Sequence, residues 1–548
     1  MVYRAVQNLP AEWGFHAHKD HADPFNELEL DVIVTGPDGG EMVVPAYWAG
    51  GREWRVRFAS PKPGLYRWRS RCTDETDSGL HGLEGEIEVV PFEGSNLLLR
   101  HGPVRVAASG RHLEHADGTP FFWLGDTWWM GLCRRLKWPS DFQVLAADRV
   151  AKGFTVIQIV AGLYPDMGAF DERGANEAGF PWQPEWARIN PAYFDMADLR
   201  IYWLVRSGLV PCIVGCWGYY LPWLGVERMK KHWRYIVARW GAYPVVWCMA
   251  GEVLMPWYLG TQELGEWHEN YSEKARAAWS EVAAYVRNTD PYRRPVTAHP
   301  NDAARRSLED DVLDFDMLQT GHGDRTSLPN TVNLVTESYT RQPVKPVING
   351  EVCYEGIGEA SRQEVQRLMF WACMLSGACG HTYGANGIWQ VNERDKPYGP
   401  SPHGMAWGDT PWEEAFQLPG SGQLGIAKAL LERYRWWKFE PHPEWVEPHW
   451  TVENYFAPYA GGIPEQVRIV YWPVYPWTSF RVVGLEPGVR YRAYYFDPKN
   501  GREYEVGAAE GDGQGAWAAP RPKLYQDWIL VLEADGARVR GRETKRPW

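Results

Sequence analysis

Residues 244–253 read PVVWCMAGEV: a proline, an apolar run with the character of a buried strand, then Gly251 and the carboxylate of Glu252. Residues 345–353, KPVINGEVC, repeat the shape and end on Gly350 and Glu351. Two strands of one kind each deliver a glutamate after a glycine. The glutamates stand 99 residues apart, the length of three strand–helix units at about 30 residues each in a (β/α)₈ barrel.

Working outward, the same rhythm fills the middle of the chain. Apolar strands are expected at FFWLGD (121–126), FTVIQIV (154–160), LVPCIVGCW (209–217), VVWCMAGE (245–252), PVTAHP (295–300), FDMLQTG (315–321), PVINGEV (346–352) and CGHTYGA (379–385). Helical stretches separate them, among them DFQVLAADRVAKG, FDMADLRIYWLVRSG, VERMKKHWRYIVARWG and RQEVQRLMFWACMLSG, several closing on the glycine that favours a helix C-terminus. Eight such units in one series predict an α/β fold, a (β/α)₈ TIM barrel rather than an open sheet.

Both flanks change to period-two alternation. DVIVTGPDGGEMVVPAYW reads as strand, turn, strand, and Trp54, Val56 and Phe58 interleave with Arg55 and Arg57 as half-buried strands require. After the PKPG turn, Tyr66 and Trp68 continue against Arg67 and Arg69. Near the C-terminus, VRIVYWPVY, SFRVVGL, RYRAYYFDPKNGREYEV and DWILVLEA are strands, with Asp497 to Gly501 as a turn. The expected organisation is an N-terminal antiparallel β-sandwich over 1–98, the barrel over 99–445 and a C-terminal β-sandwich over 446–548.

A net charge of −12 and a pI near 5.7, without any long basic run, give no footprint for nucleic acid. No apolar span is long enough to cross a bilayer, so no membrane partner is expected. The start, MVYRAVQNLPAEWGF, lacks the pattern of a leader peptide, so a cytoplasmic location is expected, or a secreted one if a leader has been removed. Eight cysteines form no CxxC pair; Cys212, Cys216, Cys248, Cys353 and Cys379 fall in apolar runs and read as buried free thiols. No HxH or HExxH spacing occurs, so neither metal nor cofactor is expected. The 32 Trp suit stacking on sugars as well as core packing. A homo-oligomer is left open.

In a barrel of this kind the C-terminal strand ends build the active site. Glu252 ends the fourth strand and Glu351 the seventh, on opposite sides of the mouth. Two carboxylates so placed suit acetal hydrolysis, with Glu351 as nucleophile and Glu252 as acid/base. The glycines before them would let the backbone turn tightly and a substrate come close. Asp126, His299, His322, Tyr383 and Asn386 collect at the same rim and are expected to bind substrate and steer protonation, whereas His381 reads as a satisfied structural residue. Two long loops, 163–193 and 386–422, should wall the site. Trp128, Tyr164, Trp217, Trp389 and Trp407 complete the expected substrate contacts, and Asp166, Trp182, Trp186 and Trp412 lie in the same loops.

DGTPFFWLGDTWW, DRVAKGFTVIQ, VVWCMAGE, LQTGHG, KPVINGEVCYEG and GHTYGANGIWQ together resemble the apiosidase-like glycoside hydrolases, which are similar to clan A glycosidases. DPFNELELD with RVRFASPKPGLYRW resembles that family's N-terminal sandwich, and FDPKNG with DWILVLEA its C-terminal sandwich, often labelled collagen-binding. The resemblance implies a retaining, exo-acting glycosidase with Glu252 as acid/base and Glu351 as nucleophile. Gly251 stands where clan A enzymes carry Asn, and Glu252 where the apiosidase-like motif often carries Asp, which leaves the sugar open. The expected function is removal of a terminal sugar, such as an apiose or arabinose furanoside, from plant-derived oligosaccharides or glycosides. A barrel that binds carbohydrate without turnover and a metal-dependent hydrolase are the alternatives.

Overall fold

The computed structural model describes residues 2–256, 260, 264–474 and 479–539. At its centre eight parallel strands form one sheet: β1 (Trp123–Trp128), β2 (Val156–Val160), β3 (Val210–Val214), β4 (Val246–Cys248), β5 (Val296–Thr297), β6 (Asp316–Gln319), β7 (Val347–Glu351) and β8 (Gly380–Tyr383). Their order is 5-4-3-2-1-8-7-6. The remaining seam is closed where Asp314 N donates to Val296 O at 2.8 Å and Thr297 Oγ1 to Phe315 O at 3.0 Å. The result is the expected TIM barrel. Its strands are buried along their whole length because helices cover the outside and side chains fill the inside.

The covering helices are α1 (Ser140–Ala151), α2 (Pro191–Arg206), α3 (Tyr220–Trp240), α4 (Tyr271–Thr289), α5 (Ala304–Ser307), α6 (Leu328–Thr340), α7 (Gln363–Leu375) and α8 (Pro419–Leu431). Gly153 and Gly208, just past α1 and α2, take the positive φ of 80° and 84° that ends a helix without a Cβ clash.

Several strands are shorter than their apolar runs, and for two of them that matters for the site. β4 leaves the ladder after Cys248, so Met249 to Glu252 form the loop above it; β5 stops at Thr297, so His299 is also a loop residue. The stretch FFWLGD divides. Phe121 belongs to a small antiparallel meander (Val104–Val106, Leu113–His115, Pro120–Phe121), and the barrel strand starts at Trp123.

The N-terminal region packs a five-stranded sheet (Val2–Val6, Glu84–Val90, Gly64–Cys72, Leu30–Thr35, Glu41–Pro45) beside a three-stranded one (Ala11–His16, Glu53–Phe58, Tyr47–Gly50). It is not wholly antiparallel, because Val2–Val6 runs parallel to Glu84–Val90. Tyr66 and Trp68 are buried and Arg67 and Arg69 exposed, as alternation requires. Arg57 breaks the pattern. It is buried and bonds Glu12 at 2.7 Å, Asp198 of α2 at 2.5 Å and the carbonyl of Arg239 in α3 at 2.8 Å. The outer face of this strand is the joint with the barrel, so its polar residue is paired rather than solvated.

The C-terminal region is a second sandwich. A six-stranded sheet (Glu440–Pro441, Tyr459–Ile463, Val467–Trp472, Trp528–Ala534, Tyr491–Phe496, Glu503–Ala509) faces a three-stranded one (Val446–Glu447, Arg481–Val482, Trp517–Ala518). Tyr475, the last residue of VRIVYWPVY, and residues 540–548 lie outside the described residues. Arg367 of α7 reaches Asp527 with two bonds of 2.7 Å, tying this sandwich to the barrel. All eight cysteines are buried and free. No helix among the described residues is long and apolar enough to cross a membrane.

Candidate active site

Glu351 is the last residue of β7 and is 4% exposed. Its Oε1 accepts from His322 Nε2 at 2.7 Å and from Gln319 Nε2 at 3.1 Å. Its Oε2 lies 3.0 Å from His299 Nε2, within ion-pair distance though off hydrogen-bond alignment. Burial alone would raise the Glu351 carboxyl; the two histidines outweigh it and hold the group well below the usual carboxylate range.

Glu252 is half-buried, and its environment is of the opposite kind. Trp217 Nε1 donates to its Oε2 at 3.0 Å and Gln319 Nε2 to its Oε1 at 3.2 Å. Burial, then the neighbouring Glu351 charge, push its carboxyl up to about 7 against those two donors. Because one amide nitrogen serves both glutamates, their Oε1 atoms stand at most 6.3 Å apart, the two bond lengths laid end to end. One carboxyl is thus held ionised and its neighbour is poised to carry a proton at neutral pH, a division of labour that acid–base chemistry on an acetal requires.

The backbone shows how Glu252 is aimed. Its φ is +43°, a left-handed conformation that costs a non-glycine residue on the order of 1–3 kcal/mol. Flanking bonds hold it there: Gly251 N to Cys216 O at 2.9 Å, Val253 N to His299 O at 3.1 Å and Met255 N to Glu252 O at 2.9 Å. Neither Gly251 nor Gly350 needs its glycine for a turn, since neither has positive φ. Each makes room instead. A Cβ on Gly251 would lie 2.2 Å from the Trp217 ring, and one on Gly350 would lie 2.5 Å from Met317 Cγ.

Around the pair lies a cavity of about 190 Å³. Loops after strands throughout the barrel contribute to it or its support: Trp129 after β1, Asp166 after β2, Trp217 after β3, Glu252 after β4, His299 after β5, His322 after β6, Tyr354 after β7, and Trp389 and Trp407 after β8. Trp129 donates Nε1 to the Tyr354 hydroxyl at 2.9 Å and packs edge-on against His299, with ring centres 5.2 Å apart.

Of the residues expected here from sequence, Glu252, Glu351, His299, His322, Trp217, Trp389 and Trp407 are brought together. Five others are not. Asp126 is fully buried, accepting from Trp128 Nε1 at 2.7 Å and paired with Arg149 of α1. Trp128 is therefore its structural donor, packed on Phe142. Tyr164 is bonded to Tyr193 at 2.7 Å, Tyr383 donates to buried Glu355 at 2.6 Å, and Asn386 accepts from Gln390 at 2.9 Å. These side chains point behind the wall, where they brace the loops that carry the site. Trp182 is held by His232 and Trp412 packs on Phe416. His381 is buried in the barrel and lowered to about 3 by burial, but neither ring nitrogen finds a hydrogen-bond partner among the described residues.

Gln319, Trp129 and Tyr354 escaped the sequence reading. The signals were there in outline: Gln319 precedes the Thr-Gly-His turn of LQTGHG, Trp129 closes DTWW and Tyr354 follows GEVC. Nothing in the sequence said which way Gln319 points at the end of β6, or which side of their loops Trp129 and Tyr354 face.

Residues 107–438 match the family described as apiosidase-like, catalytic domain, and residues 9–73 match a domain family of unknown function, DUF5060. No curated protein matches the chain. Among solved structures, a glycoside hydrolase superposes with a TM-score of 0.62 at 23% identity, covering 79% of this chain and 97% of its own. A glycoside hydrolase family 5 protein from Bacteroides vulgatus ATCC 8482 gives 0.63 at 21% identity, covering 80% and 93%. A second protein from that organism gives 0.67 at 17% identity and covers 97% of this chain and 100% of its own, so the sandwich–barrel–sandwich layout is shared along nearly the whole length.

Proposed function

The chain belongs to the apiosidase-like family, and from that premise we propose that it is a retaining, exo-acting glycoside hydrolase working by double displacement. The observation that carries this reading is the shared Gln319 donor, which bounds the Glu252–Glu351 Oε1 separation at 6.3 Å. Retaining enzymes need carboxyls about 5–5.5 Å apart, and inverting enzymes about 6.5–9.5 Å to admit a water.

Glu351, kept anionic by His299 and His322, attacks the anomeric carbon while Glu252 gives its proton to the departing oxygen. The bond from sugar to aglycone breaks and an ester to Glu351 forms. Glu252, now ionised, takes a proton from water, the water oxygen bonds the anomeric carbon, and Glu351 leaves with its electron pair. The indoles of Trp129, Trp217, Trp389 and Trp407 offer the apolar faces on which a sugar ring packs.

A cavity of about 190 Å³ falls below the ~300–1,000 Å³ of pockets for drug-sized ligands, which favours one terminal sugar over a long chain. A furanoside such as apiose or arabinose, on a plant oligosaccharide or glycoside, is the substrate the family name suggests. Screening nitrophenyl glycosides with the wild type, Glu252→Gln and Glu351→Gln tests the assignment. Turnover by the wild type that survives undiminished in both variants would overturn it.

A further inference from the structure

Trp217 meets Glu252 with the polar edge of its indole. Its Nε1 donates to Glu252 Oε2 at 3.0 Å, and the residue is 4% exposed. The placement is built into the backbone. Beyond the ends of β3 and β4, Trp217 and Gly251 keep the parallel pairing of the sheet, with Gly251 N on Cys216 O at 2.9 Å and Gly218 N on Gly251 O at 2.7 Å. The missing side chain of Gly251 leaves the room in which the ring lies, and Trp129 and His299 confine it with ring centres 5.4 and 6.0 Å away. A ring wedged in this way aims its one N–H at one atom.

The two oxygens of Glu252 therefore differ. Oε2 faces Trp217, whereas Oε1 faces the Gln319 amide nitrogen, which also serves Glu351. An ionised carboxylate accepts at both oxygens, but a protonated carboxyl has a hydroxyl, which must donate, and a carbonyl oxygen, which is the better acceptor. The buried indole has a single N–H, and losing Oε2 as its acceptor would leave that donor unsatisfied. The Gln319 amide keeps its bond to the anionic Glu351 in either case. The carbonyl oxygen of the protonated acid is thus Oε2, and the proton belongs on Oε1, on the side of Glu351.

We propose that Trp217 is a positioning residue: by holding Oε2 as a hydrogen-bond acceptor, it places the acidic proton of Glu252 on Oε1, where the departing oxygen takes it. In that step the O–H bond at Oε1 breaks and its electron pair stays on Glu252. The proton joins the departing oxygen, which keeps the pair of the broken anomeric bond, and the new carboxylate strengthens the bond from Trp217. The proposal rests on the glycosidase reading for the step it serves. The titratable groups that face Glu252 are Glu351 of β7 and His299 after β5, with His322 and Asp166 in the same cavity lining. A change confined to the indole N–H leaves all of them in place.

The test compares Trp217→Phe, which keeps an aromatic ring without the donor, with benzothienylalanine incorporated at position 217, which keeps the outline of the indole and carries sulfur in place of the N–H. In the full-length protein with isotope-labelled glutamate carboxyls, the NMR signal of Glu252 is identified by its absence from Glu252→Gln. It should titrate at about 7 in the wild type. In both variants it should titrate about one pH unit higher, the size of one lost hydrogen bond to a charged group. On glycosides whose leaving group is a sugar, kcat/KM should fall about tenfold, a part of the ~10²–10⁴-fold that general acid catalysis supplies; on nitrophenyl glycosides it should fall less than about twofold. A Glu252 titration that is the same with and without the N–H would overturn the proposal. So would equal losses on the two kinds of leaving group, or a rise in KM alone, which is the signature of a ring that only stacks on sugar. A wild type that hydrolyses no glycoside would sink the glycosidase reading, while the titration still decides whether Trp217 governs the Glu252 proton.

Discussion

Glu252 and Glu351 share a single hydrogen-bond donor, the side-chain amide nitrogen of Gln319, at 3.2 and 3.1 Å. That nitrogen sets the spacing of the pair and stabilises the ionised form of both. Replacing Gln319 with Ala removes a bond to a charged group, of about 1.5–3 kcal/mol. Both carboxyl pKa values should rise, and kcat/KM should fall about 10–100-fold. A pH–rate profile whose alkaline limb stays in place would show that the amide is a bystander.

The two glutamates should fail differently. Glu351→Gln abolishes the covalent path, and activity should fall by at least about 10³-fold on every substrate. Glu252→Gln loses a general acid and base, about 10²–10⁴-fold, with the smaller loss on the first step for leaving groups such as nitrophenolate that need no protonation. Burst kinetics with nitrophenyl substrates separates the two, because Glu252→Gln should release one equivalent of nitrophenol rapidly and then stall.

The pH dependence carries a definite sign. Glu252 must be protonated to act and its carboxyl is pushed up to about 7, so kcat/KM should decline as pH rises through about 7. Glu351 must be ionised and is held low by His299 and His322. His322→Asn removes one of those partners, and the acid limb should move to higher pH. An unshifted acid limb would mean that His322 does not set the charge on Glu351.

Stability should report the same strain. Glu252 is raised in the folded protein above its ordinary value of 4.5, so folding binds a proton there between about 4.5 and 7. Its stabilising contribution is present below 4.5 and is lost as pH climbs through 7, where a charge must be held in a half-buried site. Glu252→Gln should therefore raise Tm at pH 8 more than at pH 5. Equal Tm changes at the two pH values would contradict the raised carboxyl.

Gly251 and Gly350 should tolerate a methyl group unequally. At Gly251 the new Cβ meets the Trp217 indole at 2.2 Å, and that ring is confined by Trp129 and His299. Gly251→Ala should cost about 1–3 kcal/mol of stability and, by displacing the Trp217–Glu252 bond, most of the activity. At Gly350 the obstacle is chiefly the flexible side chain of Met317, so Gly350→Ala should be milder on both counts. Thermal melts and initial rates of the two variants make the comparison.

The barrel was legible because parallel strands covered on both sides must be apolar runs, and eight of them with helices between leave few other arrangements. The positions of the glutamates were legible for a related reason: the C-terminal ends of the strands open on the mouth of the barrel. Asp126 and Tyr383 misled because a polar residue on a strand can point outward into the helix layer as well as inward, and Arg149 and Glu355 were waiting there. Arg57 misled likewise, since alternation marks one face as outer without saying that a barrel covers it. Gln319 was hidden because the register of β6 shifts between Leu318 and Gln319, and Trp129 because it lies in the loop after β1; no periodicity encodes either.

The most direct test of paired glutamates acting by double displacement is the anomeric configuration of the first-formed sugar, followed by proton NMR during hydrolysis of whichever glycoside the screen identifies. The same anomer as the substrate is expected, before mutarotation mixes the two. The opposite anomer would contradict a nucleophilic Glu351, because it requires water to attack directly.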